Sequence, residues 1–354
     1  MENEVLFSVS AGGAAFITLN RPKALNSLSY EMLKLIGEKL KEWRAMDQIQ
    51  VIVLQGEGEK GFCAGGDIKE LYKASKSEEL LKQAETFFEM EYKVDLAIYS
   101  YPKPIVACLD GIVMGGGVGL TYGAAHRVVT ERTKWSMPEM NIGFFPDVGA
   151  AYFLNKAPGF VGRYLALTAS VIPAADVLFA NAADHYMESA KLPELLNRIE
   201  QTDWHGHDVN GALNQLLAEF SSRPLENGYL ASIKTEIDQH FSHHTVEQIL
   251  ASLETDPSEF ASKTKGILLS KSPSSLKVTL KQLIDGEEKS AEECFATDLI
   301  LAKHFLRHED FFEGVRSVVI DKDRKPQYIY KNLSDFSDQD VESFFQDSSV
   351  IYKE

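Results

Sequence analysis

Two continuous apolar runs, VIVLQG at 51–56 and KPIVACLDGIVM at 103–114, constrain the fold most. Neither alternates apolar with polar residues, so neither suits a sheet with one wet face. Both need cover on both sides, the habit of parallel strands joined by helices. The segments around them fit that need. EVLFSVSAGGAAFITLNRP reads as two short strands about a glycine turn, stopped by Pro22, and Met32, Leu33, Ile36, Leu40 and Trp43 follow at helical spacing behind a cap at Ser29. Residues 77–99 read as a helix, GGGVGLTYGAA as a helix opening on glycines, and HRVVTERTKWSM as two short strands around a turn. This repeated strand, strand, helix order predicts an α/β fold with short crossovers. From about residue 148 strands become scarce and helical patterns take over. We therefore expect a sheet-based core over 1–200 and a mainly helical C-terminal region over 201–354, with the change in the polar stretch near 200–226.

Composition excludes some partners. A net charge of -16, with no Lys/Arg-rich block, argues against binding a nucleic-acid backbone. No apolar run is long enough to span a bilayer. Cys63, Cys108 and Cys294 are odd in number and lack CxxC or zinc-ligand spacing, which predicts a reducing compartment. The opening MENEVLFSVSAGG has neither signal-peptide nor transit-peptide character, so a cytoplasmic protein is expected, with a matured mitochondrial form as the other option.

Chemistry concentrates in glycine loops and acids. GFCAGGDIKEL at 61–71 and GGG at 115–117 each follow a buried strand. Glycines at a helix start leave N–H donors free for an anion or a developing oxyanion, and two such loops could clamp one carbonyl oxygen. The same glycines would equally serve tight turns and close packing. Neither loop matches GxxxxGK[ST] or GxGxxG, so a nucleotide site is weakly supported. In SMPEMNIGFFPDVGAAYF, Glu139 follows Pro138 and Asp147 follows Pro146, which places both acids on constrained backbone. They are either positioned catalytic groups or, respectively, an exposed turn residue and a helix cap. WHGHD at 204–208 and HFSHH at 240–244 raise a metal site, with His240 and His244 on one helix face, but scattered surface histidines suit the pattern better and no metal is expected.

LNRPKALNSLS at 19–29, GFCAGGDIKEL, DGIVMGGGVGL at 110–120 and MPEMNIGFFPDVGAAYFL together resemble the crotonase, or enoyl-CoA hydratase/isomerase, superfamily. SPSSLKVTLKQL and HEDFFEGVRSVVIDKDRKPQY further resemble its 3-hydroxyisobutyryl-CoA hydrolase subgroup. The resemblance implies a spiral of ββα units that binds an acyl-CoA. It implies an oxyanion hole from the N–H groups of Gly66 and Gly116, and contact with coenzyme A near Lys23 and Ala24. Coenzyme A would enter as part of the substrate, with no separate cofactor. A homo-oligomer is compatible with the family, although a longer helical C-terminal part could cover the same surfaces.

One departure narrows the reaction. Enoyl-CoA hydratases carry a glutamate just after the triple glycine and another at the PE position. Here Gly119 stands at the first and only Glu139 remains, so hydration of a double bond is disfavoured. Asp147 and Glu91 match acids of the hydroxyacyl-CoA hydrolases, which implies thioester hydrolysis as in valine catabolism. Glu139 would be nucleophile or general base, Asp147 would orient water or the acyl hydroxyl, and Glu91 would hold the 3-hydroxyl. An enoyl-CoA isomerase working through Glu139 alone is the alternative.

Overall fold

The computed structural model describes residues 3–206, 208–225 and 228–347. The two apolar runs become neighbouring parallel strands of a six-stranded sheet. Its strands are β1 (Val5–Val9), β2 (Ala14–Leu19), β3 (Val51–Gly56), β5 (Ile105–Leu109), β7 (His126–Val129) and β10 (His185–Tyr186), in that spatial order. Only the β1–β2 pair is antiparallel; β2, β3, β5, β7 and β10 run parallel. A second sheet holds β4 (Gly61–Cys63), β6 (Ile112–Met114), β8 (Lys134–Ser136) and β9 (Ile172–Pro173). Strands β3, β5 and β7 each hand the chain to a short strand of this second sheet, which makes the α/β architecture a crotonase-type spiral. HRVVTERTKWSM is therefore no hairpin, because its two strands belong to different sheets.

Burial explains the apolar runs. Alternate residues Ala14, Phe16, Val51, Val53, Val106, Cys108 and Val128 pack with Leu195, Ile199, Leu213 and Leu217 in one cluster. These last four come from helices Leu192–Gln201 and Val209–Phe220. The intervening strand residues Ile52, Leu54, Ala107 and Leu109 are buried as well, so both sheet faces are covered. Helix Tyr30–Arg44 buries the five expected residues, and the Ser29 hydroxyl accepts from the Met32 N–H at 3.1 Å.

The chain divides into two units that interleave along the sequence. One contains residues up to Gly66, Lys93–Trp135 and Ile172–Tyr229; the other contains Asp67–Tyr92, Ser136–Val171 and the residues from Leu230 on. The boundary expected at 200/201 falls in the last turn of helix Leu192–Gln201, and the chain stays with the sheet-bearing unit to Tyr229. Trp204 in that polar stretch is buried and donates through Nε1 to the Ile199 carbonyl at 2.9 Å. The second unit is helical around an aromatic cluster of Phe88, Phe144, Phe145, Phe305 and Phe311. Among the described residues no helix is long and apolar enough to cross a membrane.

Candidate active site

In the sheet-bearing unit the two glycine loops meet. Gly65 has φ +92, and a Cβ there would lie 3.0 Å from the Met114 carbonyl oxygen and 3.3 Å from the Gly116 nitrogen. Only glycine combines that backbone with so close an approach. Gly116 opens helix Gly116–Tyr122, where the first N–H groups have no partner within the helix. Among the described residues the backbone N–H of Gly66 and that of Gly116 meet no backbone acceptor. The two expected donors thus lie on adjoining loops. Cys63 is fully buried at the end of β4, and its sulfur accepts from the Gly65 N–H at 3.4 Å, which is a structural task.

The early loop is stitched to the same place. Lys23 and Ala24 are exposed on the turn Pro22–Ala24. Just beyond them, Ala64 N–H donates to the Leu25 carbonyl at 3.0 Å and Leu28 N–H to the Gly65 carbonyl at 2.9 Å. Asn26, fully buried with φ +53, accepts from Arg21 N–H and donates to the carbonyls of Glu57 and Gly61. This hub residue is missed by reading the sequence, although it lies inside the quoted LNRPKALNSLS.

In the helical unit both proline-preceded acids are buried, so neither is an exposed turn residue. Glu139 starts the short turn Glu139–Ile142, and among the described residues its Oε2 meets no hydrogen-bond partner. Asp147 does not cap a helix with its side chain; its Oδ2 instead accepts from the Tyr92 hydroxyl at 2.7 Å. Burial lifts Glu139 well above the ordinary carboxylate range, and the charge of Asp147 lifts it further. Burial raises Asp147 to about 7, against the Tyr92 hydrogen bond, which lowers it. Two acids that repel one another in a dry site titrate as a pair, so at neutral pH the pair can hold a proton and a charge together.

Glu91 lies on helix Glu78–Tyr99 and is buried, at 2% exposure. Burial raises the neighbouring Tyr92 hydroxyl well above its usual range, with the charges of Asp147, Asp298 and Glu91 adding to the effect. After Asp147 the backbone turns left-handed at Val148 (φ 51) and Gly149 (φ 80). For a β-branched valine that conformation costs about 1–3 kcal/mol and persists only where surrounding contacts impose it. Asp298, absent from the sequence reading, is fully buried beside this turn and accepts from the Gly149 N–H at 2.8 Å.

His205 and His244 are exposed, and His244 lies past the end of helix Lys234–Phe241 rather than on its face; His207 lies outside the described residues. His240 is no surface histidine. It is fully buried between the Ser252 hydroxyl at 2.8 Å and the Asp256 carboxylate at 2.9 Å. Among the described residues no group of three His, Cys, Asp or Glu side chains could hold a metal.

A ββα spiral with two converging glycine loops defines a class of acyl-CoA enzymes. The chain matches the enoyl-CoA hydratase/isomerase family over residues 14–345 and belongs to it. It is 40% identical over 336 residues to the mitochondrial 3-hydroxyisobutyryl-CoA hydrolase of Gallus gallus, covering 95% of this chain and 87% of that protein. The rat protein of the same name, from Rattus norvegicus, is 41% identical with the same coverage. A solved carnitinyl-CoA dehydratase from Mycobacterium thermoresistibile is 34% identical, with a TM-score of 0.89 over 98% of this chain and 97% of that one.

Proposed function

We propose that this enzyme hydrolyses the thioester of a short 3-hydroxyacyl-CoA, 3-hydroxyisobutyryl-CoA foremost and 3-hydroxypropionyl-CoA beside it, to the free hydroxy acid and CoA, as in valine catabolism. The observation that carries this reading is the buried, charge-coupled pair Glu139 and Asp147 in a chain with Gly119 at the other hydratase position. The hydrolase names of the relatives support it. An isomerase would use Glu139 and leave Asp147 and Glu91 without a task.

In this reaction the N–H groups of Gly66 and Gly116 receive the oxygen of the thioester as it becomes an oxyanion. With the proton of the pair resting on Asp147, ionised Glu139 attacks the carbonyl carbon; the C–S bond breaks, and CoA leaves as a thiolate, a good leaving group. Water then hydrolyses the mixed anhydride, returning Glu139 as carboxylate and releasing the hydroxy acid. In the other version of the step, Glu139 takes a proton from water and the resulting hydroxide attacks the carbonyl carbon; the C–S bond breaks, and the departing CoA thiolate takes up the proton from Glu139. Asp147 orients water or the acyl hydroxyl and carries a proton. Glu91 holds the 3-hydroxyl, and the turn at Lys23 and Ala24 meets the coenzyme A portion. No cofactor beyond the substrate's own coenzyme A takes part.

A panel of 3-hydroxyisobutyryl-, 3-hydroxypropionyl- and isobutyryl-CoA tests the acyl chain. Both hydroxyacyl thioesters should turn over well and isobutyryl-CoA at least about tenfold worse, because a site built to bond a hydroxyl is left with buried polar groups unpaired. Equal rates for all three would remove the hydroxyl-specific reading. We place the enzyme in the cytoplasm, with the mitochondrion as the alternative that the relatives' names raise. Fractionation of the source cells distinguishes the two.

A further inference from the structure

Asp298 is a buried acid to which the proposed chemistry gives no task. Helix Ala291–Phe305 buries Cys294, Phe295, Asp298, Leu301, Ala302 and Phe305, so Asp298 occupies a position of the apolar stripe where a large hydrophobic residue would ordinarily stand. A carboxyl group there must be bonded or neutral. Its Oδ2 accepts from the Gly149 N–H at 2.8 Å, and its Oδ1 accepts from Gln282 Nε2 at 2.8 Å. That same Gln282 nitrogen donates to the carbonyl of Pro146 at 2.9 Å. Gln282 is itself buried on helix Pro273–Asp285. Two side chains from two helices thus grip the backbone on either side of Asp147 and Val148.

That stretch needs a grip. Val148 and Gly149 are both left-handed, and a Cβ on Gly149 would meet the Phe295 ring at 2.8 Å. Left to relax, the turn would swing the carboxylate of Asp147 away from the Tyr92 hydroxyl. We propose that Asp298 and Gln282 are positioning residues, a clamp on Pro146 and Gly149 that fixes the aim of Asp147 in the hydrolytic reaction. The inference rests on the role given to Asp147 above.

The electrostatics agree with that geometry. Burial raises Asp298 to about 8; the Gly149 N–H lowers it, the charge of Asp147 raises it, and Gln282 and Lys289 lower it. At neutral pH the clamp is therefore largely protonated, and it does not set a second full negative charge beside Asp147. Its remaining charge bears on Tyr92 and Cys294.

The test compares Asp298→Asn and Gln282→Met with Asp147→Asn and with each double variant, by kcat and KM for 3-hydroxyisobutyryl-CoA. Asn has one acceptor oxygen for the two donors Gly149 N–H and Gln282 Nε2 and must turn its amide nitrogen on one of them, and Met keeps the length of Gln282 without donors. Each single change should lower kcat by about ten- to a hundredfold, the cost of a misaimed group, with KM within about twofold. In the Asp147→Asn background each should change kcat by less than about twofold, because residues acting through one group are non-additive. The clamp is overturned by wild-type kcat in either folded single variant, or by equal losses with and without Asp147. An Asp147→Asn enzyme with wild-type kcat overturns the role of Asp147 itself and the clamp with it. Should Asp298→Asn fail to fold, Gln282→Met and its double variant decide by the same criteria.

Discussion

A buried carboxyl group with no ion-pair partner among the described residues must keep its proton or find donors, and Asp147 does some of both. Burial pushes it up to about 7, and the Tyr92 hydroxyl at 2.7 Å pulls it back. Replacing Tyr92 by Phe removes that donor and leaves the ring. A hydrogen bond to an ionised group contributes about 1.5–3 kcal/mol, and each pKa unit corresponds to about 1.4 kcal/mol. The acid limb of the kcat–pH profile should therefore move upward by about one to two units in Tyr92→Phe. An unmoved limb would mean that Asp147 does not govern it. The proline-preceded acids were legible as a pair of special positions in SMPEMNIGFFPDVGAAYF, but their burial was not, since nothing local excluded a surface turn. Asp298 could have been found: ECFATDLILAKHF repeats its apolar residues at helical spacing, and an acid interrupts the stripe.

At the scale of elements, two loops owe their meeting to one sheet pairing. Strands β4 and β6 are parallel neighbours, with Gly61 opposite Ile112, so the turns that follow them emerge side by side. Gly65→Ala would force a side chain against the Met114 carbonyl in a left-handed backbone. Strain of that kind costs about 1–3 kcal/mol, and displaced oxyanion donors lower kcat by about a hundredfold. We expect a lower Tm together with a kcat loss of that order, measured by thermal unfolding and steady-state hydrolysis; wild-type kcat would show that the loop does not shape the oxyanion site. The strand, strand, helix order, the apolar runs and the five buried positions of helix Tyr30–Arg44 were all visible as periodicity. The assignment of β8 to a second sheet was not, because periodicity reports which residues are buried and says nothing of which strand lies alongside. Asn26 escaped for a related reason: its three backbone partners, at Arg21, Glu57 and Gly61, come partly from distant sequence.

For the whole molecule, buried acids without cations make stability depend on pH in an unusual direction. Asp147 and Asp298 have folded pKa values near 7 and 8, above their unfolded values, so between those limits the folded chain binds more protons than the unfolded one. Stability then falls as pH rises through this range. His126, His185 and His308 are lowered by burial and act the other way, an effect that fades as pH rises past about 6.5; that of Lys271, lowered to about 8, grows only as pH approaches that value, and Glu139, raised by burial as well, adds to the fall. From pH 6.5 to 8 the Tm should therefore drop, and Asp298→Asn should flatten the drop; a Tm that rises over this range would contradict the buried-acid account.

Thioester hydrolysis through Glu139, as proposed, would separate this enzyme from family members named for hydration and isomerisation. Its most direct measurement offers 3-hydroxyisobutyryl-CoA and a 3-enoyl-CoA in parallel to the wild-type enzyme and to Glu139→Gln, following free thiol and conjugated enoyl product. Wild type should release thiol from the hydroxyacyl substrate and form little enoyl product. Glu139→Gln should lose at least about a thousandfold in thiol release while still binding CoA. Conjugated product without thiol release, or undiminished hydrolysis by Glu139→Gln, would contradict it.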